Sequence, residues 1–296
     1  MAKLINGKNP QLGFVGIGPM GGKMARFLLK DGYSVLIHDI DKAKLDAISK
    51  EGGQIASSNA EVVQKCDIVL TSLPLSEVWV EVAEKDFLPN AKPGQVFIDM
   101  GTVTPPETRR LYAEFKKKGA SLIDSPVSNA GGGDKRLYVF IGGDKEVIDS
   151  VWPIYESLGV PDHTVYCGPS GSGQVVKGIN QLGIGLISAA AIEIVAFGVR
   201  CGVDPDAFGK AVGVEGDNGF RGSIFSTAKA AKSGKIENSA VKQGQLEHYL
   251  KEAHSRGFEL PLTKALFEFL KDSPHTIKDA NRMSPSFWNE LMNYKL

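Results

Sequence analysis

The sequence predicts an α/β protein. A doubly wound, mainly parallel sheet is expected over residues 1–172, joined by a long helix to an all-α second domain over 173–296. Three observations predict it. Apolar runs of strand length alternate with helical stretches through the first half. The first of these runs passes straight into clustered glycines and then into a helical pattern. From Gln174 to Arg200 the periodicity is helical, and no proline interrupts it.

The first run, Leu12–Val15, is continuously apolar, as suits a strand buried on both faces. It leads into Gly16-Ile17-Gly18-Pro19-Met20-Gly21. In that pattern Gly16 permits a tight turn, Gly18 lets the backbone approach a phosphate, and Gly21 lets the next helix pack on the strand. Pro19 suits a first helical position, where no N–H is needed. Met20, Met24, Phe27 and Leu28 supply an apolar helix face. The helix N-terminus, with its free N–H groups and partial positive charge, then suits a pyrophosphate. Tyr33–His38 reads as the second strand, and Asp39 ends it near the spacing of about 20 residues at which an acid meets a ribose. A carboxylate there accepts hydrogen bonds from the ribose hydroxyls of NAD and repels the 2′-phosphate of NADP. The strand–glycine–helix–strand–acid series therefore predicts a Rossmann-like domain that takes NAD.

Further strands are expected at Asp67–Leu73, Gln95–Asp99, Ser121–Ile123, Leu137–Ile141 and Thr164–Tyr166. Thr104-Pro-Pro-Glu107 has capping-box spacing with proline at the first helical position. The loop before it leaves the carboxyl end of a strand, where ligands bind in such sheets. A helix over Gln174–Arg200 would be about 40 Å long. Its apolar stretch, Leu182–Val199, contains Glu193 and several glycines and reads as a buried helix rather than a membrane span. So wide an apolar surface also predicts packing against a partner subunit, in a homodimer or homotetramer. Everything beyond reads helical. Asp204-Pro205 and Ser284-Pro285 mark helix starts, and Glu215–Gly222 reads as a loop.

Composition narrows the function. The 296 residues carry 34 basic and 34 acidic side chains, so neither a nucleic acid nor a membrane surface is an expected partner. The three cysteines lack metal-ligand spacing, so no metal site is expected, and they read as reduced thiols of a cytoplasmic protein. Met1–Pro10 has no apolar core of the signal-peptide kind. A small-molecule substrate remains.

Five motifs follow one another: Gly13-Phe-Val-Gly-Ile-Gly-Pro-Met-Gly21, Ser72-Leu-Pro74, Asp99-Met-Gly-Thr102, Asp124-Ser-Pro-Val-Ser128 and Gly171-x-Gly-x-x-x-Lys177-x-x-Asn180. In these the chain resembles the β-hydroxyacid dehydrogenases over nearly its whole length. The resemblance implies hydride transfer between NAD(H) and a small β-hydroxy acid, or a related short polar alcohol or semialdehyde. It implies that Ile17, Pro19 and Met20 line the pyrophosphate beside the three glycines. Leu73 and Pro74 would meet the adenosine side or the ribose, and Thr102 would sit near the nicotinamide. Ser128, with Asn129, Ala130 and Gly131, would hold the substrate carboxylate. Lys177 would be the catalytic lysine, assisted by Asn180 and Gln181.

The departures from the family pattern cluster at the substrate end. Asn129 and Ala130 stand where two glycines are usual, and Gly101 where serine is frequent. Gln181 replaces an asparagine one helical turn after the lysine. Aligned on Pro261, the late Lys-Asp-Leu motif becomes Gly244-Gln245-Leu246, with Lys242 two residues upstream: either Lys242 replaces the lost amine by a local shift or that contact is absent, and Gln245 stands among the expected cofactor contacts. The same reaction on an atypical substrate is expected.

Oxidising an alcohol sends a hydride to NAD and a proton to a base. A surface lysine, with a pKa near 10.4, is a poor base at neutral pH. Burial and a neighbouring cation lower that value. Two other readings keep the fold. An imine reductase-like enzyme is disfavoured by Lys177. A catalytically silent dinucleotide-binding protein is favoured by the altered Lys-Asp pair and disfavoured by Lys177 and Ser128.

Overall fold

A computed structural model describes residues 10–129, 136–217, 219–233, 243–271, 276–277 and 282–283. The chain divides into two compact units, Met1–Lys177 and Gly178–Leu296. The division falls inside the long helix, a little beyond the 172/173 boundary expected from sequence.

In the first unit β1 (Leu12–Val15), β2 (Val35–His38), β3 (Gln54–Ile55), β4 (Ile68–Thr71), β5 (Val96–Asp99) and β6 (Ser121–Asp124) are all parallel. They lie side by side as β3-β2-β1-β4-β5-β6. This is the strand order of dinucleotide-binding sheets, and it reverses between β1 and β4. Beyond β6, β8 (Leu137–Gly142) runs antiparallel to β6 and to β7 (Val127–Asn129), while β9 (Gly159–Gly168) runs parallel to β8.

Alternation of side chains across the pleat explains the continuous apolar runs. Phe14, Ile37, Leu70 and Ile98 enter one core with Met24 and Leu28 of α1 (Pro19–Lys30). Val15, Leu36, Val69 and Phe97 enter the other, with Val62 of α3 (Asn59–Lys65) and Phe115 of α6 (Pro105–Lys117). Between them along the chain lie α2 (Lys42–Ser49), α4 (Ser76–Val82) and α5 (Leu88–Asn90). Two short helices, α7 (Lys145–Ser150) and α8 (Trp152–Leu158), precede β9.

Several local expectations need correction. β3 and β7 are not expected from the sequence: β3 has two residues, both exposed, and β7 has three, too few to show a period. β9 is longer than Thr164–Tyr166 and begins at Gly159. The capping box at Thr104 is not formed, because the Thr104 side chain makes no cap bond and Glu107 accepts instead from Arg110 Nε at 2.8 Å.

The long helix α9 spans Ser172–Arg200. In the second unit its Ile192, Val195 and Ala196 share a core with Ile224 and Ala228 of α11 (Phe220–Lys232), Leu246 of α12 (Gln243–Ser255) and Leu270 of α13 (Pro261–Lys271). The Asp204 side chain accepts from Asp206 N–H and caps α10 (Pro205–Val212), as its sequence predicts. The expected loop ends early, since α11 begins at Phe220. The unit is not wholly helical: β10 (Thr276–Ile277) pairs antiparallel with β11 (Arg282–Met283). Ser284-Pro285 lies outside the described residues. Nor is α9 fully buried. Its most apolar window is only 28% buried, and Ile179, Ile187 and Phe197 are exposed, because the helix is apolar around much of its circumference while one core covers one side.

The junction of β1 and α1 shows why two glycines are required. Gly16 has a φ of 89°, a left-handed conformation that favours glycine. A Cβ on Gly21 would lie 1.9 Å from the Gly16 carbonyl oxygen. Gly21→Ala is therefore expected to lower stability by about 1–3 kcal/mol through overpacking. The urea unfolding midpoint measures this, and an unchanged midpoint would show that the turn yields instead.

Candidate active site

The glycine turn is built against the end of β2. Gly16 N–H donates to the His38 carbonyl at 2.9 Å, and Ile17 N–H donates to Asp39 Oδ2 at 2.6 Å. Asp39 Oδ1 accepts from Asp41 N–H at 2.8 Å. Among the described residues each carboxylate oxygen thus has one hydrogen-bond donor and keeps a lone pair for a hydroxyl. Gly18 precedes α1, whose start has no side-chain cap. A Cβ on Gly18 would meet nothing within 4 Å, so open space faces the bare backbone of the turn. Uncapped N–H groups, this open cradle and the half-buried Asp39 fit a dinucleotide phosphate and its ribose.

The ends of β4 and β5 stand beside the turn. A Cβ on Gly16 would lie 3.0 Å from Leu73 Cδ2, and one on Gly101 would lie 3.4 Å from the Leu73 carbonyl oxygen. Pro74 is exposed and Thr102 half-buried. The first unit therefore brings together Gly16, Ile17, Gly18, Asp39, Leu73 and the loop that carries Thr102.

Lys177 is on α9 and only 7% exposed. Its Nζ donates to the Val127 carbonyl at 2.7 Å, on β7 directly before Ser128. The amine and the serine strand are thus adjacent, as the motifs imply. Ser128 pairs with Tyr138 in the β7–β8 ladder, and the exposed Asn129 lies 3.5 Å from Lys23 Nζ through its Oδ1. Ala130, Gly131 and Lys242 lie outside the described residues.

Beneath the lysine helix are two buried carboxylates whose role was not foreseen. Asp124 Oδ1 accepts from Gly171 N–H at 2.8 Å, and Oδ2 from Gln174 N–H at 3.1 Å. Asp99 Oδ1 accepts from Thr71 Oγ1 at 3.0 Å and from Gly101 N–H at 2.9 Å. Burial pushes the Asp99 carboxyl up to about 7, against the donated bonds of Gly101 and Thr71, with the nearby Asp124 charge adding to the rise. Burial likewise raises Asp124 to about 6, opposed by the N–H groups of Gly171 and Gln174. Asp99, Asp124 and Gln174 all lie within the motifs, but neighbouring sequence does not signal partners 47 to 75 residues away.

In the second unit the substituted amides bind one another. Asn180 Nδ2 donates to Gln181 Oε1 at 3.0 Å, and Gln181 Nε2 donates to Gln245 Oε1 at 2.7 Å. Two of the positions that depart from the family pattern, Gln181 and Gln245, are therefore direct partners.

Comparison with known proteins agrees with this geometry. Residues 11–168 match the family described as the NAD binding domain of 6-phosphogluconate dehydrogenase. The chain is 29% identical to the mitochondrial 3-hydroxyisobutyrate dehydrogenase of Mus musculus over 293 residues, covering 88% of this chain and 87% of that one. It is 31% identical to 2-(hydroxymethyl)glutarate dehydrogenase of Eubacterium barkeri over 210 residues, covering 70% and 69%. A solved structure of Mycobacterium tuberculosis 3-hydroxyisobutyrate dehydrogenase with L-serine shares the fold, with a TM-score of 0.77 at 22% identity over 96% of this chain and 99% of that one. The chain belongs to the β-hydroxyacid dehydrogenase family and is an NAD-dependent oxidoreductase.

The raised carboxyls give stability a pH dependence. In the folded state Asp99 holds its proton to about 7, whereas the unfolded value is 3.8. The folded state therefore binds more protons between those values, and stability falls as pH rises through them. The contribution is full below 3.8 and lost above about 7. Asp99→Asn, which mimics the protonated group, is expected to flatten this slope in urea unfolding between pH 5 and 8. Equal slopes in the two proteins would show that Asp99 ionises freely in the fold.

Proposed function

We propose that the chain oxidises a small β-hydroxy acid, or reduces the matching semialdehyde, with Lys177 exchanging the hydroxyl proton. The observation that carries this reading is the nearly buried Lys177 amine, fixed 2.7 Å from the Val127 carbonyl beside Ser128. A surface lysine would sweep through many rotamers; this one is held in place. Bound NAD supplies the hydride acceptor. Gly16, Ile17, Gly18, Pro19, Met20 and Gly21 would hold its diphosphate, Asp39 its ribose, and Leu73, Pro74 and Thr102 the remainder, with Gln245 as a further contact. The Ser128 hydroxyl and Asn129 amide, followed by Ala130 and Gly131, would orient the substrate carboxylate. Asn180 and Gln181 would orient its polar end. In oxidation the amine takes the proton from the alcohol oxygen, and in reduction it returns it.

The related proteins point to the substrate class. 3-Hydroxyisobutyrate, 2-(hydroxymethyl)glutarate and L-serine all place a hydroxymethyl group next to the carbon that bears a carboxylate. The Gln181–Gln245 amide pair supports a member of this class with an extra hydrogen-bonding group. The exposed Ile179, Ile187 and Phe197 support a homodimer or homotetramer, and the free thiols of Cys66, Cys167 and Cys201 fit a reducing compartment such as the cytoplasm.

With NAD+ and those three hydroxy acids as a panel, at least one is expected to give NADH. Lys177→Ala should bind NADH within about twofold of wild type and lose about 10²–10⁴-fold in turnover. Wild-type turnover in this variant would remove the lysine from the chemistry.

A further inference from the structure

We propose that Gln174 is a positioning residue that locks the loop carrying Thr102 to the helix carrying Lys177. The inference rests on the roles given above to those two residues. Gln174 is on α9, three residues before Lys177, so the two side chains share one helix face. It is fully buried. Its Nε2 donates to the Gly101 carbonyl at 3.0 Å, and its Oε1 accepts from Val103 N–H at 3.2 Å. One carboxamide thus takes the backbone acceptor before Thr102 and the backbone donor after it. The side chain behaves as a peptide group of a neighbouring strand would, and it fixes the backbone of Thr102 from both sides. Nε2 also lies 3.4 Å from Asp99 Oδ2, at the root of the same loop.

The helix end of this clamp is itself immobilised. Gln174 N–H and Gly171 N–H both donate to Asp124, at the first turn of α9. A Cβ on Gly173 would lie 2.3 Å from the Phe140 carbonyl oxygen, so the first turn lies directly against β8. Sliding or rotation of the helix would break these contacts together. The loop and the lysine are therefore held as one body, and the amide of Gln174 is the link between them. An apolar side chain of the same length would fill the space and leave the Gly101 carbonyl and Val103 N–H without their partner.

Gln174→Met and Gln174→Glu test this in the full-length protein. Glu keeps an oxygen for Val103 N–H and loses the donor to Gly101; Met loses both. Deuterium exchange gives a readout that needs neither substrate nor cofactor. The Val103 amide should exchange at least tenfold faster in the Met variant and stay protected in the Glu variant. In turnover of the best hydroxy acid of the panel, kcat should fall at least tenfold in the Met variant, with KM for the acid within threefold. The deuterium isotope effect with the hydroxy acid deuterated on its hydroxyl-bearing carbon, from which the hydride leaves, should rise, because misplacement makes hydride transfer slower. Unchanged Val103 exchange or wild-type kcat in the Met variant would overturn the proposal. So would a loss of activity that merely follows the folded fraction measured by thermal unfolding. Lys177→Ala is measured in parallel: if it retains turnover, the reading of the lysine fails, whereas an inactive Lys177→Ala beside a fully active Gln174→Met isolates the failure to Gln174.

Discussion

The carboxylate of Asp124, buried at the first turn of α9, is the constraint on which the remaining geometry depends. A helix start leaves N–H groups without internal partners, and its dipole favours a negative charge there. Two of those groups, from Gly171 and Gln174, find Asp124. Removing a carboxylate from water is costly unless hydrogen bonds replace the lost hydration. Here the two opposing effects are both visible: burial raises the carboxyl, and the N–H groups draw it back. Since Asp124 ends β6, this contact joins the sheet to the helix that carries Lys177. The lysine then reaches Val127, three residues beyond Asp124, without leaving the same neighbourhood.

The sheet supplies the other half of the arrangement. Parallel strands end on one edge, and the order reverses between β1 and β4, so their following loops part there. The glycine turn, Leu73 and Gly101 stand together at that edge. Buried residues on both faces hold the strands in register, and the loops inherit their positions from that packing. The chemistry is therefore placed by elements whose own sequences are dominated by the need to exclude water.

The parts legible in the sequence were those governed by local rules. Continuous apolar runs located the central strands, glycine spacing located the turn between β1 and α1, and the absence of proline located α9. Lys177 was legible through its motif, and the structure then placed it beside Ser128. The short β3 and β7 carry too few residues for a pattern. Thr104-Pro-Pro-Glu107 had the correct local signal, yet Arg110 captured the glutamate. Exposure along α9 was not legible either, because composition reports apolarity and not which side a core will cover. Gln174 was equally hidden. It sits unmarked between the glycines and the lysine of its motif, and its partners are brought to it only by the folded sheet.

The ribose contact proposed for Asp39 has a consequence for cofactor choice, because the same carboxylate holds the turn together. The Asp39 carboxylate is a strut of the phosphate turn, clasping Ile17 N–H on one oxygen and Asp41 N–H on the other. Deleting the acid to admit a 2′-phosphate would strip a backbone donor of its acceptor in the very loop that must receive the rest of the nucleotide. A change to the phosphorylated coenzyme therefore has to keep an acceptor in place for Ile17 N–H. The proposed preference for the unphosphorylated form would then rest on the backbone of the turn as well as on charge repulsion.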